Sequence, residues 1–408
     1  MHSKDSKGEK RIAHKVVIVG GVGFVGLELD AKVAIVTGAS LRKGRLMIID
    51  AHAHTFPRLG TPSGEDPVEV QLRLLQHHTY FHIQGWHRKS NGQPLRRQLL
   101  FDGVNPGING MYDVNFRIGE YGRLEFTFEG EDYWLQWLPP CYQQGEFPPA
   151  ILTTYMDYVG VDKAVLCPTH FYGELNAYTS GCVRRYPDRL VGIAAIREWK
   201  ASQPSEIARL TRAVEELGLR GLHFTTECLC ITDFQDDWSS AKYDPLWKEV
   251  RRLRIPIFWD IFSWGNDPWG QWQKETRRLT DWARRYSDIP SLVTHGLPVM
   301  RWPHDRYHIE VPEIVWELFH CPNIYVEVML PGQMGAEYEY PYPAGCTLLK
   351  QLYQGLGPYK FVWGSDMPTI ERRVTYKQSL DYLKKCDFLG EEEYRLLVGG
   401  NVARLLGL

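Results

Sequence analysis

The sequence predicts a (β/α)8 TIM barrel of the α/β class, with a small antiparallel β insertion after strand one, and three observations carry that prediction. Short apolar runs alternate with amphipathic stretches from residue 151 to residue 366. The runs are continuously apolar, as expected of parallel strands buried on both faces. Polar residues capable of chemistry recur just beyond the runs, at the strand ends where barrels place their active sites.

Strand one is predicted at 47–51, ending at His52-Ala53-His54. Two imidazoles at i and i+2 on a strand project to one face, so both can reach a single metal ion. The chain holds 14 histidines, enough for such a pair to arise by chance, so it needs partners elsewhere. Residues 56–148 are irregular and rich in Gly, Pro and Asn. Three short strands are expected there, at 114–118, 123–128 and 132–138, the last two joined through Glu129-Gly130-Glu131 as a hairpin. Loops at this end of a barrel border the active site, so the 60–148 insertion is expected to act as a lid.

The regular rhythm then begins. Helices are expected at 151–159, 176–185, 205–217, 243–253, 274–286, 313–319 and 345–356. The strands interleaved with them fall at 162–168, 190–196, 219–224, 255–261, 290–295, 323–328 and 360–366. With strand one these make eight βα units, and a helix at 391–406 closes the chain. The domain reading is therefore a barrel over 47–408 preceded by an extension, 1–46, that is partly disordered or forms short strands. Gly21-x-Gly23-x-x-Gly26 in that extension imitates a dinucleotide fingerprint. Only Leu27 to Asp30 separates it from the next apolar run, too little for a crossover helix, so a nucleotide-binding oxidoreductase is the weakest reading.

A chain of 408 residues with 44% hydrophobic and 24% charged content can bury a large core. A net charge of −2 supplies no general field for nucleic acid or a membrane surface, so neither partner is expected. No apolar run reaches the ~18 residues of a transmembrane helix. The eight cysteines show no paired framework, and Cys228-x-Cys230 lacks the second pair a structural zinc site needs. A reduced, cytoplasmic compartment is expected.

The polar residues at the strand ends are His52 and His54, Thr169 or His170, His223, Asp260, His295, Glu327 and Asp366. Buried side by side they would be costly, and a shared metal ion removes that cost. Together with Ile49-Asp-Ala-His-Ala-His54, Val161-Asp-Lys-Ala-Val165, Tyr186-Pro-Asp-Arg189, Thr294-His-Gly296, Trp363-Gly-Ser-Asp-Met-Pro368 and Gly400-Asn-Val-Ala-Arg-Leu-Leu-Gly407, they give the chain its family resemblance. It resembles the amidohydrolase superfamily, in the branch typified by aminocarboxymuconate-semialdehyde decarboxylase, over residues 47–408 outside the insertion.

The resemblance implies that His52 and His54 bind a catalytic divalent metal, with Asp366 as a further ligand and proton carrier and His295 as acid or base. The family's third histidine ligand belongs at the end of strand five, where this chain has Phe258-Trp259-Asp260. Asp260 is accordingly expected as an oxygen ligand. The expected cofactor is one divalent ion, zinc first, with manganese or iron favoured by added carboxylates, and no organic cofactor. His223, Glu327 and Arg301 are assigned to substrate, and Arg372 or Arg373 could hold a substrate carboxylate. The expected partner is a small-molecule substrate, and the branch admits a homodimer. The reading is a metal-dependent hydrolase of a small ester, lactone or amide. The alternatives are a non-oxidative decarboxylase of a small aromatic or unsaturated acid and a non-catalytic ligand-binding barrel.

Overall fold

Among the described residues, eight parallel strands surround an interior filled by apolar side chains. A computed structural model describes residues 46–408 apart from 84, 96–98, 306–307 and 336. The glycine-rich 21–26 stretch and the rest of the 1–45 extension lie outside the described residues. Strands one to eight of the barrel are Ile49–Ala53, Lys163–Leu166, Leu190–Gly192 continued by Ala194–Ala195, Leu222–Thr225, Ile257–Asp260, Ser291–Val293, Ile324–Val328 and Phe361–Trp363. Strands one to three pair in sequence, and the second half of strand three continues through strands four to eight. His54 N–H donates to the Met367 carbonyl and Asp366 N–H to the His52 carbonyl, each at 2.8 Å, bringing the end of strand eight back against strand one.

Alternation along the strands sorts the core into two layers. Ile49, Ala51, Val165, Val191, Phe258, Leu292 and Val362 form an inner cluster, which Val402, Leu405 and Leu406 of the closing helix complete. The intervening residues, such as Phe224 and Trp259, pack outward against Trp247 and Trp282 of the surrounding helices. On strand one the alternation breaks. Ile49 and Ala51 belong to the inner cluster, yet His52 and His54 also face the barrel mouth, where they meet Glu327 and Asp366. The register against strand two shifts between Asp50 and Ala53, and that bulge re-aims the two imidazoles.

The expected helices are all present, with 176–185 and 313–319 matching to the residue. The closing helix runs Glu391–Arg395 and Asn401–Leu406 with a π turn, Leu396–Gly400, between them. The insertion departs most from expectation. It contains a helix, Val68–His82, where no element is expected, and a short strand, His87–Arg88, that joins the sheet. The strand expected at 114–118 shrinks to Arg117–Ile118, whereas Arg123–Phe128 and Glu131–Gln136 form the hairpin. The helix carries many polar residues, with His77 and His78 among its buried ones, so its apolar periodicity is weak.

The cysteine expectation is corrected. Cys346 and Cys386 form a disulfide between Pro343–Leu356 and the segment following 382–385. The pairing spans 40 residues and follows from tertiary packing, which spacing does not disclose. The other cysteines are free thiols, and Cys228 and Cys230 are buried. No helix of the described residues is long and apolar enough to cross a membrane.

Candidate metal centre at the barrel mouth

His52, His54 and Asp366 each offer a ligand atom, and these atoms all lie within 4.8 Å of one another. The hydrogen bonds around them fix which atoms carry protons. Nδ1 of His54 lies 2.6 Å from the Cys167 carbonyl, which can only accept, so that nitrogen bears a proton and Nε2 is the nitrogen turned to the centre. Nδ1 of His52 lies 3.1 Å from Oε2 of Glu327, an oxygen that also accepts from the His295 backbone N–H, so His52 is read the same way. Burial first, then the neighbouring histidines, hold the His52 imidazole well below its ordinary pKa and therefore neutral. The two Nε2 atoms face each other at 3.2 Å, and Oδ1 of Asp366 stands 2.9 Å from that of His54, so without a metal ion a proton on the His54 Nε2 bridges them. Three potential ligand atoms converging on one point need a cation among them, and a divalent ion can take the place of that proton. The residues therefore fit a divalent metal ion.

The surrounding shell orients this set. Glu327 is 1% exposed; burial pushes its carboxyl well above the usual range, although the His295 charge opposes the shift. Gly364, in the Trp363-Gly364-Ser365-Asp366 motif, makes room for Glu327, since a Cβ there would overlap Oε1. Asp50 ties strands one and eight together, accepting from Ser365 Oγ at 2.6 Å, Ser365 N–H at 2.9 Å and Tyr376 OH at 2.9 Å. Burial raises the Asp50 carboxyl to about 6, against those hydrogen bonds. Asp366 takes the left-handed backbone region at φ 61°, and His295 does so at φ 58°. Neither is a glycine, and such strain concentrates where structure holds a residue for its chemistry.

Asp260, expected as a ligand, is not one of the three converging donors. Its Oδ1 lies 2.8 Å from Nδ1 of His295, close enough for an ion pair although the N–H is poorly aligned for a hydrogen bond. Burial alone would depress the His295 pKa, but the Asp260 charge prevails and raises it to about 10. With Nδ1 taken by Asp260, Nε2 is the nitrogen left for a bound molecule. Asp366 is pushed up by burial, yet its hydrogen bond with His54 and the His295 charge outweigh this and hold it below its ordinary value.

A cavity of about 350 Å³ opens over this centre, lined by His54, Asp260, His295 and Asp366. Arg301, Arg372 and Arg373 also line it, and among the described residues no carboxylate forms an ion pair with any of them. Tyr172 walls the metal side, its ring 4.8 Å from His54. Thr169 reaches the cavity, whereas His170 turns to Asp66, with Nδ1 to Oδ2 at 3.3 Å. His223 and Glu327, expected to touch substrate, are buried and not among the residues lining the cavity. Nδ1 of His223 binds the Pro168 carbonyl at 2.7 Å, and its buried Nε2 has no partner. Burial lowers the His223 pKa to about 4. The insertion contributes His78, His82, Ile83 and Trp137 to the wall, residues that no strand-end pattern singles out. A helical reading of 68–82 would have shown His78 and His82 as an i, i+4 pair on one face.

Residues 49–408 match the family model described as amidohydrolase. No curated protein matches the chain. Among solved structures, the chain is similar to a probable 2-pyrone-4,6-dicarboxylic acid hydrolase from Acinetobacter baumannii with citric acid bound. Identity is 19%, over 64% of this chain and 90% of that one, with a TM-score of 0.49. A 2,6-dihydroxybenzoate decarboxylase from Rhizobium is similar at 15% identity, over 63% of this chain and 87% of that one, TM-score 0.46. A dihydroxybenzoic acid decarboxylase from Polaromonas sp. JS666, with bound manganese and the inhibitor 2-nitroresorcinol, is similar at 16%, over 63% and 85%, TM-score 0.46.

Proposed function

The chain belongs to the amidohydrolase family, and on that premise we propose that it is a metal-dependent hydrolase of a small, carboxylate-bearing ester, lactone or amide. The observation that carries this reading is the convergence of the His52, His54 and Asp366 ligand atoms beside a His295–Asp260 pair, with His54, Asp366, His295 and Asp260 lining one cavity. A divalent ion held by those three residues, zinc first and manganese or iron as alternatives, supplies a Lewis acid and brings the pKa of water toward ~7.

The chain's own groups do the rest. Asp366, whose carboxyl is held below its ordinary value, accepts the proton of the attacking water. His295, kept protonated by Asp260, presents Nε2–H to the substrate oxygen where negative charge develops and can give that proton to the leaving group. Asp260 is thus a positioning residue for His295. Arg301 and Arg372 are placed to hold a carboxylate elsewhere on the substrate, and Trp137 and Tyr172 close the cavity against water. Glu327 orients the centre through His52, and neither it nor His223 lines the cavity in which substrate is held. The insertion acts as the lid over this cavity.

A second reading, decarboxylation, rests on the arginines that line the cavity without a carboxylate partner. A carboxylate held by them could leave as CO2 once His295 delivers its proton to the adjacent carbon. The experiment assays the zinc-loaded enzyme against carboxylated lactones and esters and against small aromatic and unsaturated acids, measuring acid release and CO2 together. Acid release without CO2 is expected. CO2 as the sole product would overturn the hydrolase.

A further inference from the structure

On the insertion side of the same cavity, His77, His78 and His82 of the helix Val68–His82 surround Glu227 of the turn Thr226–Thr232. Glu227 is fully buried, and its two oxygens have different work. Oε1 lies 2.7 Å from Nδ1 of His77. The other ring nitrogen of His77 lies 2.8 Å from the Pro106 carbonyl, so both of its nitrogens must donate, and His77 forms an ion pair with the carboxylate. Oε2 faces Nδ1 of His78 at 2.8 Å and Nε2 of His82 at 3.3 Å. The His82 nitrogen is buried, yet it makes no hydrogen bond, and its side chain is only 12% exposed. One helical turn separates the two imidazoles, so their approach to the carboxylate is set by the helix itself.

We propose that His78, His82 and Glu227 form a second divalent-cation site, taking zinc or a similar borderline ion. Two imidazoles and one carboxylate are a donor set suited to zinc, and the three ligand atoms lie within 4.8 Å of one another. The ion would give the orphaned His82 nitrogen a partner and replace the proton between His78 and Oε2. His77 would remain as the group that orients Glu227 through its other oxygen. His78 and His82 also line the cavity, so an open coordination position faces the space in which substrate is held. The aromatic ring of Phe262 stands between the two centres, 5.0 Å from the ring of His78, 4.7 Å from His82 and 5.2 Å from His295. The second ion would pin the insertion helix to the 226–232 turn and offer a ligand position for an anionic group of the substrate.

The test is anomalous diffraction at the zinc edge from crystals of the full chain soaked in zinc, with metal counted in solution for the chain and for its variants. A peak bounded by Nδ1 of His78, Nε2 of His82 and Oε2 of Glu227 is expected, together with two equivalents per chain. His82→Gln should bind one equivalent and keep the barrel-mouth peak. His54→Ala should bind one equivalent and keep the insertion peak, so this site is scored independently of the reading of the barrel mouth. Thermal melting of each metal-free variant checks that the helix remains folded. No peak among these three residues at saturating zinc, or an unchanged equivalent count in a folded His82→Gln, would overturn the proposal and leave a buried ion pair.

Discussion

Two histidine clusters border one cavity, and their proton inventories differ. At the barrel mouth both Nδ1 atoms face fixed acceptors, so the two Nε2 atoms and an Asp366 oxygen point at one another. At the insertion helix the acceptor is at the centre, Glu227 of the 226–232 turn, and two of its three imidazoles already donate to it. Without a metal ion the first is held by one proton on the His54 Nε2, between the other two ligand atoms; the second has its proton on His78 and leaves the His82 nitrogen without a hydrogen bond. Close histidines are therefore not enough to argue for a metal. What argues for it is a ring nitrogen left facing other ligand atoms, Nε2 of His52 at the barrel mouth and Nε2 of His82 beside Glu227.

The largest effect that would sharpen this contrast is expected from Asp366→Asn. It removes both a ligand and the base, so kcat should fall about 10²- to 10⁴-fold, measured in steady state with the hydrolysed substrate. A variant retaining near-native kcat would move the chemistry elsewhere in the cavity. Glu327→Gln comes next. It loosens the partner that fixes the His52 tautomer, and should cost about 10- to 100-fold in zinc affinity by competitive chelation. Unchanged affinity would mean that His52 is not held through Nδ1.

Much of the barrel mouth is legible in the sequence because strand ends are simple to read. His52-x-His54, Asp260, His295, Glu327 and Asp366 each follow an apolar run, and the structure places all of them at that end of the barrel. The partnerships are not legible. Phe258-Trp259-Asp260 stands where a histidine ligand is expected, and only three-dimensional geometry shows Asp260 against His295. The bulge between Asp50 and Ala53 is likewise hidden, because period-two alternation through Ile49 and Ala51 would turn His52 outward. The helix Val68–His82 escapes a reading by pattern because its buried face includes Gln71, Gln76, His77 and His78 rather than an apolar stripe. Its histidines are inside because Glu227 is there to receive them, a contact 149 residues away in sequence for His78.

The Asp260–His295 pair makes a prediction in pH. The His295 pKa is raised in the folded protein from 6.5 to about 10, so its protonation stabilises the fold fully below pH 6.5. That contribution is lost as pH rises toward about 10, with a slope of up to about tenfold per pH unit in the folding equilibrium. Denaturant titrations of the metal-free protein should show this decline between those limits, and Asp260→Asn should flatten it. An equal slope in both proteins would mean that Asp260 does not hold the proton on His295.

The smallest effect belongs to the part of the insertion farthest in kind from the chemistry, the hairpin turn Glu129-Gly130. Gly130 sits at φ 78°, and nothing lies within 4 Å of the place a Cβ would take, so Gly130→Ala meets no clash and suffers only the left-handed backbone. The expected cost is about 1–2 kcal/mol of stability with kcat/KM unchanged. The strands on either side pair in register from Phe128 with Glu131 through Arg123 with Gln136, which keeps the strained turn in place. Trp137, which follows that ladder, lines the cavity and lies under Arg372 with 5.0 Å from guanidinium to ring. A fall in kcat/KM on Gly130→Ala, without loss of fold, would show that the turn transmits its strain along the ladder to Trp137 and so couples the hairpin to the cavity.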